Sequence, residues 1–182
     1  IPYELTTHRC ERESAISLLW HRWNAYHLQF IGDFCFERKW LVSQGGFYKL
    51  PLAWASDDIS AIIGASKNGV ANTQTVVFQY RRNRHTISNT GNAEMKMKAV
   101  LDEIKWYKNF FVKVVSYGND SLYLSMLQEK LPSHFDKKKT AILVKDLKSA
   151  GLTKILWWCR KKADYDLSAK ILLYALIRVI GY

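Results

Sequence analysis

The 182-residue sequence is 48% hydrophobic and 24% charged, with only three prolines, a balance that excludes a disordered polar chain and fits one globular domain or a domain with an appendage. Its 27 lysines and arginines against 16 acids leave a net charge of +11, which favours polyanionic partners without choosing among nucleic acid, phosphate-rich cofactors and anionic membrane. Cys10, Cys35 and Cys159 are odd in number and lack metal-ligand spacing, so reduced thiols in a cytoplasmic setting are expected rather than a disulfide framework.

Residues 1–7 read as an entry strand. Residues 13–28 place Ile16, Leu19, Trp20, Trp23 and Tyr26 or His27 on one side of a helix. Gly32 and Asp33 punctuate, residues 34–42 read as a strand whose charged centre suggests an edge or a half-exposed face, and Pro51 interrupts the aromatic stretch 47–54. Asp57 and Asp58 precede a strand at 59–65, which Asn68 and Gly69 turn back as a hairpin. Residues 75–81 and 84–88 look like paired strands. A tight loop, Ser88-Asn89-Thr90-Gly91-Asn92-Ala93, then enters a helix over 93–107 marked by Met97, Val100, Leu101, Ile104 and Tyr107. The β-branched and aromatic run 110–116 reads as a strand, and 119–131 returns to helical spacing.

Beyond Pro132 the chain turns more basic: residues 136–162 hold nine lysines or arginines against two aspartates, a net +7. Residues 141–150 read as a helix stopped at Gly151, and 155–160 as a late strand. A closing apolar helix over 167–180 is expected to be capped by Asp164 or Asp166. Lys170 and Arg178 interrupt that segment, and it is too short to span a bilayer, so a core or homodimer-forming helix is expected there. The domain expectation is residues 1–135 followed by a basic extension, 136–182.

A glycine-bearing loop between strand and helix converges backbone N–H groups on one spot, where the helix dipole favours an anion. The order of strand, Ser88–Ala93 loop, helix, strand, and a helix opening at Asn119 and carrying Tyr123 resembles the cofactor-binding half of the GNAT acyltransferase superfamily, over about residues 75–131. Gly91 and Ala93 match the family's loop, and Ser88 stands at its first position. The resemblance implies an α+β fold, with a GNAT-like mixed central sheet flanked by helices and a basic helical C-terminal extension. It implies acetyl-CoA as cofactor, with its pyrophosphate on the amides of about Thr90 to Glu94 and its pantetheine between splayed strands. Acyl transfer to the amine of an anionic small or macromolecular substrate would follow. Tyr123 would protonate the leaving thiolate, and Glu94, Asp57 and Asp58 are base candidates by residue type.

Each of these residues also has a plain reading: Gly91 as a turn, Tyr123 as a packed helical residue, Asp57 and Asp58 as a turn or cap. The histidines His8, His21, His27 and His134 show no ligand spacing, so no metal is expected. Glu94 and Lys96 form half of a nuclease motif, but at a helix start rather than in a strand. A second function of a different class rests on the basic residues: a non-catalytic nucleic-acid-binding protein. Arg81, Arg82 and Arg84 beside the loop, with Lys137, Lys138, Lys139, Arg160, Lys161 and Lys162 further on, would hold phosphates. Trp157 and Trp158 would stack bases.

Overall fold

The computed structural model describes residues 10–26, 31–75, 92–115 and 118–181. Among them are seven α-helices and a single antiparallel pair of two-residue strands. The helices are α1 (Ala15–Trp23), α2 (Arg38–Ser43), α3 (Ser56–Ala65), α4 (Ala93–Lys113), α5 (Asn119–Ala150), α6 (Lys154–Arg160) and α7 (Ala169–Ile180). The strands β1 (Arg12–Glu13) and β2 (Val70–Ala71) pair Arg12 with Ala71 and Glu13 with Val70. This mostly helical architecture overturns the expected GNAT-like central sheet. The expected strands at 1–7 and 84–88, and the one at 75–81 beyond Thr75, lie outside the described residues.

Two expected strands, 59–65 and 155–160, are helical for a shared reason: each is a short, largely apolar run without alternation, which a helix tolerates as well as a strand does. Of a third, 34–42, residues 34–37 are neither helix nor strand, and from Arg38 on it forms α2, which buries Leu41 and leaves Arg38 and Lys39 exposed. In α3 the run Ile59, Ser60, Ala61 and Ile62 is buried without alternation. Asp57 and Asp58 lie in its first turn, where carboxylates favour the helix dipole. The fourth expected strand, 110–116, begins inside α4. Trp106 stacks on Phe110 with ring centroids 5.1 Å apart, and Tyr107 meets Phe111 at 6.0 Å; both are i,i+4 pairs that only a helix brings together. The two expected helices at 119–131 and 141–150 are one. Pro132 sits exposed within α5, and the buried stripe Phe135, Ile142, Leu143 and Leu147 continues beyond it.

The chain forms two compact units interleaved in sequence: residues 1–49, 55–84 and 114–128, and residues 50–54, 85–113 and 129–182. In the first unit, Ser14 caps α1 by accepting from the Ser17 amide at 2.9 Å and donates to Asp120 Oδ1 at 2.8 Å. Helix α1 buries Ile16, Leu18, Leu19 and Trp23 and packs on α3. Arg22 clamps Asp58 Oδ1 through Nε at 2.9 Å and Nη2 at 2.7 Å. Burial, and then the neighbouring Asp58, push the Asp57 carboxyl above its ordinary value. The fully buried Ser60 hydroxyl donates to the Ser56 carbonyl at 2.6 Å and accepts from the Tyr48 amide at 3.0 Å. Gly69, at φ +75°, lets the chain turn into β2 directly against the Glu13 carbonyl.

In the second unit, the turn Pro51–Ala53 packs on α4, which buries Met97, Val100, Glu103, Tyr107 and Phe111 along one side. Tyr107 meets Phe135 of α5 with ring centroids 6.0 Å apart. Ser168, not Asp164 or Asp166, caps α7: its Oγ accepts from the Ile171 amide at 3.2 Å. Helix α7 buries Ile171, Leu172 and Ala175 and leaves Leu173, Tyr174, Ile177 and Ile180 exposed. None of the described helices is long and apolar enough to cross a membrane.

Candidate nucleic-acid interface

Charge is unevenly divided between the two units. Segments 50–54, 85–113 and 129–182 carry 17 basic and 8 acidic residues, a net +9 of the chain's +11. Among the described residues of this second unit, twelve lysines and arginines are exposed against four exposed acids. They come from four helices and the turn after α6. Lys98, Lys105, Lys108 and Lys113 on α4, and Lys145 and Lys148 on α5, join this surface although they were not singled out from sequence. The 98, 105, 108 spacing along one helix was the signal that could have found them.

The Lys137–Lys139 run, expected to hold phosphates, divides by helical phase. The buried stripe of α5 recurs at Phe135, Ile142 and Leu143, so residues 138 and 139 rotate inward while Lys137 points to solvent. Lys138 Nζ donates to Oε1 of the fully buried Glu103 at 2.6 Å. Lys139 is only 2% exposed, and its Nζ donates to the Asp166 carbonyl at 2.6 Å and to Asp166 Oδ2 at 3.1 Å. That contact ties α5 to the turn before α7, where Asp166 holds φ +49°. Lys138 and Lys139 are therefore internal ties, and of the three only Lys137 is fully in the open.

The adjacent tryptophans divide the same way. Trp158 is fully buried and its indole N–H donates to Asp146 Oδ2 at 2.8 Å. Trp157 is half-buried at the surface of α6, edge to face with Trp158 at 4.8 Å, with Lys154 Nζ 4.7 Å from its ring centroid. Arg160, Lys161 and Lys162 follow in the open, Lys161 reaching Asp164 at 2.8 Å. That hydrogen bond raises the Lys161 pKa above its ordinary value. Elsewhere cations crowd one another. Burial, then Lys137, lower the pKa of Lys130; burial, then Lys145, lower that of Lys96, whose ammonium sits 4.7 Å from the Trp54 ring centroid. Like charges placed this way favour an arriving anion.

The residues expected to bind coenzyme A fare differently. Ser88, Asn89, Thr90 and Gly91 lie outside the described residues, as do Arg81, Arg82 and Arg84. Asn92 and Ala93 open α4, but Asn92 Oδ1 already accepts from the Glu94 amide at 2.8 Å and the Met95 amide at 3.1 Å, capping the helix with its own side chain. Glu94 is engaged with Tyr165, whose phenol pKa is raised first by burial and then by that carboxylate. Tyr123 belongs to the first unit, stacked on Trp20 at 5.4 Å and edge-on to His21 at 6.1 Å; Asn119 opens the exposed start of α5. Where a second splayed strand was expected, at 110–113, α4 continues instead.

Compared with protein-family models, with curated proteins and with solved structures, the chain matches none.

Proposed function

We propose that the protein is a basic, non-catalytic nucleic-acid-binding protein whose binding surface lies on the second unit. The observation that carries this reading is the set of twelve exposed cations, against four exposed acids, on that unit. A polyphosphate laid across it releases condensed counterions in proportion to the phosphates neutralised, which drives binding without sequence preference. Lys137, Arg160 and Lys162 are the contacts to test, because they are exposed and take no part in the ties made by Lys138 and Lys139.

The test is fluorescence anisotropy on labelled oligonucleotides across a salt series. Affinity should fall steeply with salt. Replacing Lys137, Arg160 and Lys162 together with Glu should weaken binding roughly ten-fold or more and flatten the log–log salt slope by about 2–3, near one unit per lost phosphate contact. Lys139→Glu should instead unfold the second unit. Absence of binding at about 50 mM salt, or binding insensitive to salt, would sink the proposal.

A further inference from the structure

We infer that Trp157 is a stacking platform for an unpaired base, so that the surface prefers single-stranded over duplex nucleic acid. This deepens the nucleic-acid reading above and rests on it. Three observations on α6 meet at this residue.

The first is preorganisation. Trp157 is braced by the fully buried Trp158, which is itself pinned by Asp146, and Tyr165 adds a second aromatic neighbour at 6.5 Å. A ring held in this way loses little conformational freedom when a base lands on it. The second is what already approaches the ring. Lys154 Nζ lies 4.7 Å from the Trp157 centroid, at the end of a flexible stem that a base can displace. The displaced ammonium then has the adjoining phosphate to pair with. Lys154 precedes Trp157 by three residues and Arg160 follows it by three, so cations flank the indole at about 4.5 Å of helix rise on either side. A positively charged track interrupted by an aromatic ring is how single strands are held without sequence preference.

The third is what α6 lacks as a duplex reader. Between Lys154 and Arg160 it carries Ile155, Leu156, Trp157 and Cys159 around the buried Trp158. In the whole helix only Arg160, at its C-terminal end, carries a fork of the kind that reads base edges in a major groove, where a recognition helix reads with several residues near its N-terminus. The two adjacent tryptophans, which make a poor recognition helix, make a sound bracket: one ring fixed in the core, the other half-buried at the surface.

The experiment measures the anisotropy of a labelled oligothymidylate and of a mixed-sequence duplex of equal length at one salt concentration, with the full chain and its variants. The wild type should bind the single strand more tightly. Trp157→Leu, which keeps apolar bulk but removes the π-face, should weaken single-strand binding by roughly five- to 150-fold, the range of one base–aromatic stack, and change duplex binding less than about twofold. Trp157→Phe should retain most of the affinity and so guards against misfolding as the cause. If Trp157→Leu binds the single strand within about twofold of wild type, or weakens both ligands equally while its melting is unchanged, the inference falls and the basic surface stands without it. If the wild type binds neither ligand, the inference and the proposed function fail together.

Discussion

Replacing Trp158 tests how the second unit is held together and whether the two tryptophans have separate duties. Its side chain is 0% exposed, and its N–H bonds a carboxylate oxygen at 2.8 Å. Truncation to alanine empties a large volume and strands Asp146, which costs about 3–5 kcal/mol. Phenylalanine keeps most of the ring and loses chiefly the charge-assisted hydrogen bond, about 1.5–3 kcal/mol. In a unit of this size each kcal/mol moves the melting temperature by roughly 4–8 °C, so Trp158→Ala should melt at least about 12 °C lower and Trp158→Phe at least about 6 °C lower. Trp157→Leu, at a half-buried surface position, should cost under about 1 kcal/mol. The assay is thermal denaturation followed by near-UV circular dichroism, with hydrogen exchange across α5 and α6 to localise the loss. Asp146→Asn in the Trp158→Phe background should add little, because the two side chains share one bond. A Trp158→Ala protein that melts within about 2 °C of wild type would refute this account of the core.

Further expectations concern the first unit. Gly69→Ala places a Cβ against the Glu13 carbonyl at a left-handed φ of +75°, and should destabilise that unit by about 1–3 kcal/mol, read as faster exchange of the amides of β1 and β2. Asp57 has a carboxyl raised above 3.8, so its protonated form favours the fold: that contribution is complete below about pH 3.8 and is lost as pH rises through the folded value. Asp57→Asn should therefore match wild type near pH 3 and be the more stable protein at pH 7, in denaturant titrations at both pH values. Equal stability at pH 7 would show that burial and Asp58 do not disfavour the Asp57 carboxylate.

Periodicity carried the reading of the chain only where one face of an element is apolar and the other polar. Helix α1 and α4 as far as Tyr107 were legible for that reason, with Ile16, Leu19, Trp23, Met97, Val100 and Tyr107 among the residues they bury. Residues 59–65 and 155–160 were not, because an uninterrupted apolar run has no period to read, and strand and buried helix compete on equal terms until neighbours choose. The α5 proline misled in the other direction: the stop expected at Pro132 is overridden by the buried stripe that continues through Phe135 and Leu143. At the candidate surface, the excess of cations was plain from composition, but their duties were not.

The amino-acid sequence alone determined that the protein is basic, that its C-terminal third is more so, and where its strongly amphipathic helices run, since these follow from local residue types and spacing. Tertiary structure decided which cations remain available. Lys138 is drawn inward by Glu103, 35 residues earlier, and Lys139 by Asp166, 27 residues later, while Lys137, turned away from the buried stripe, stays in water. A rotation of 100° per residue about α5 separates these fates, and its phase is set by partners distant in sequence.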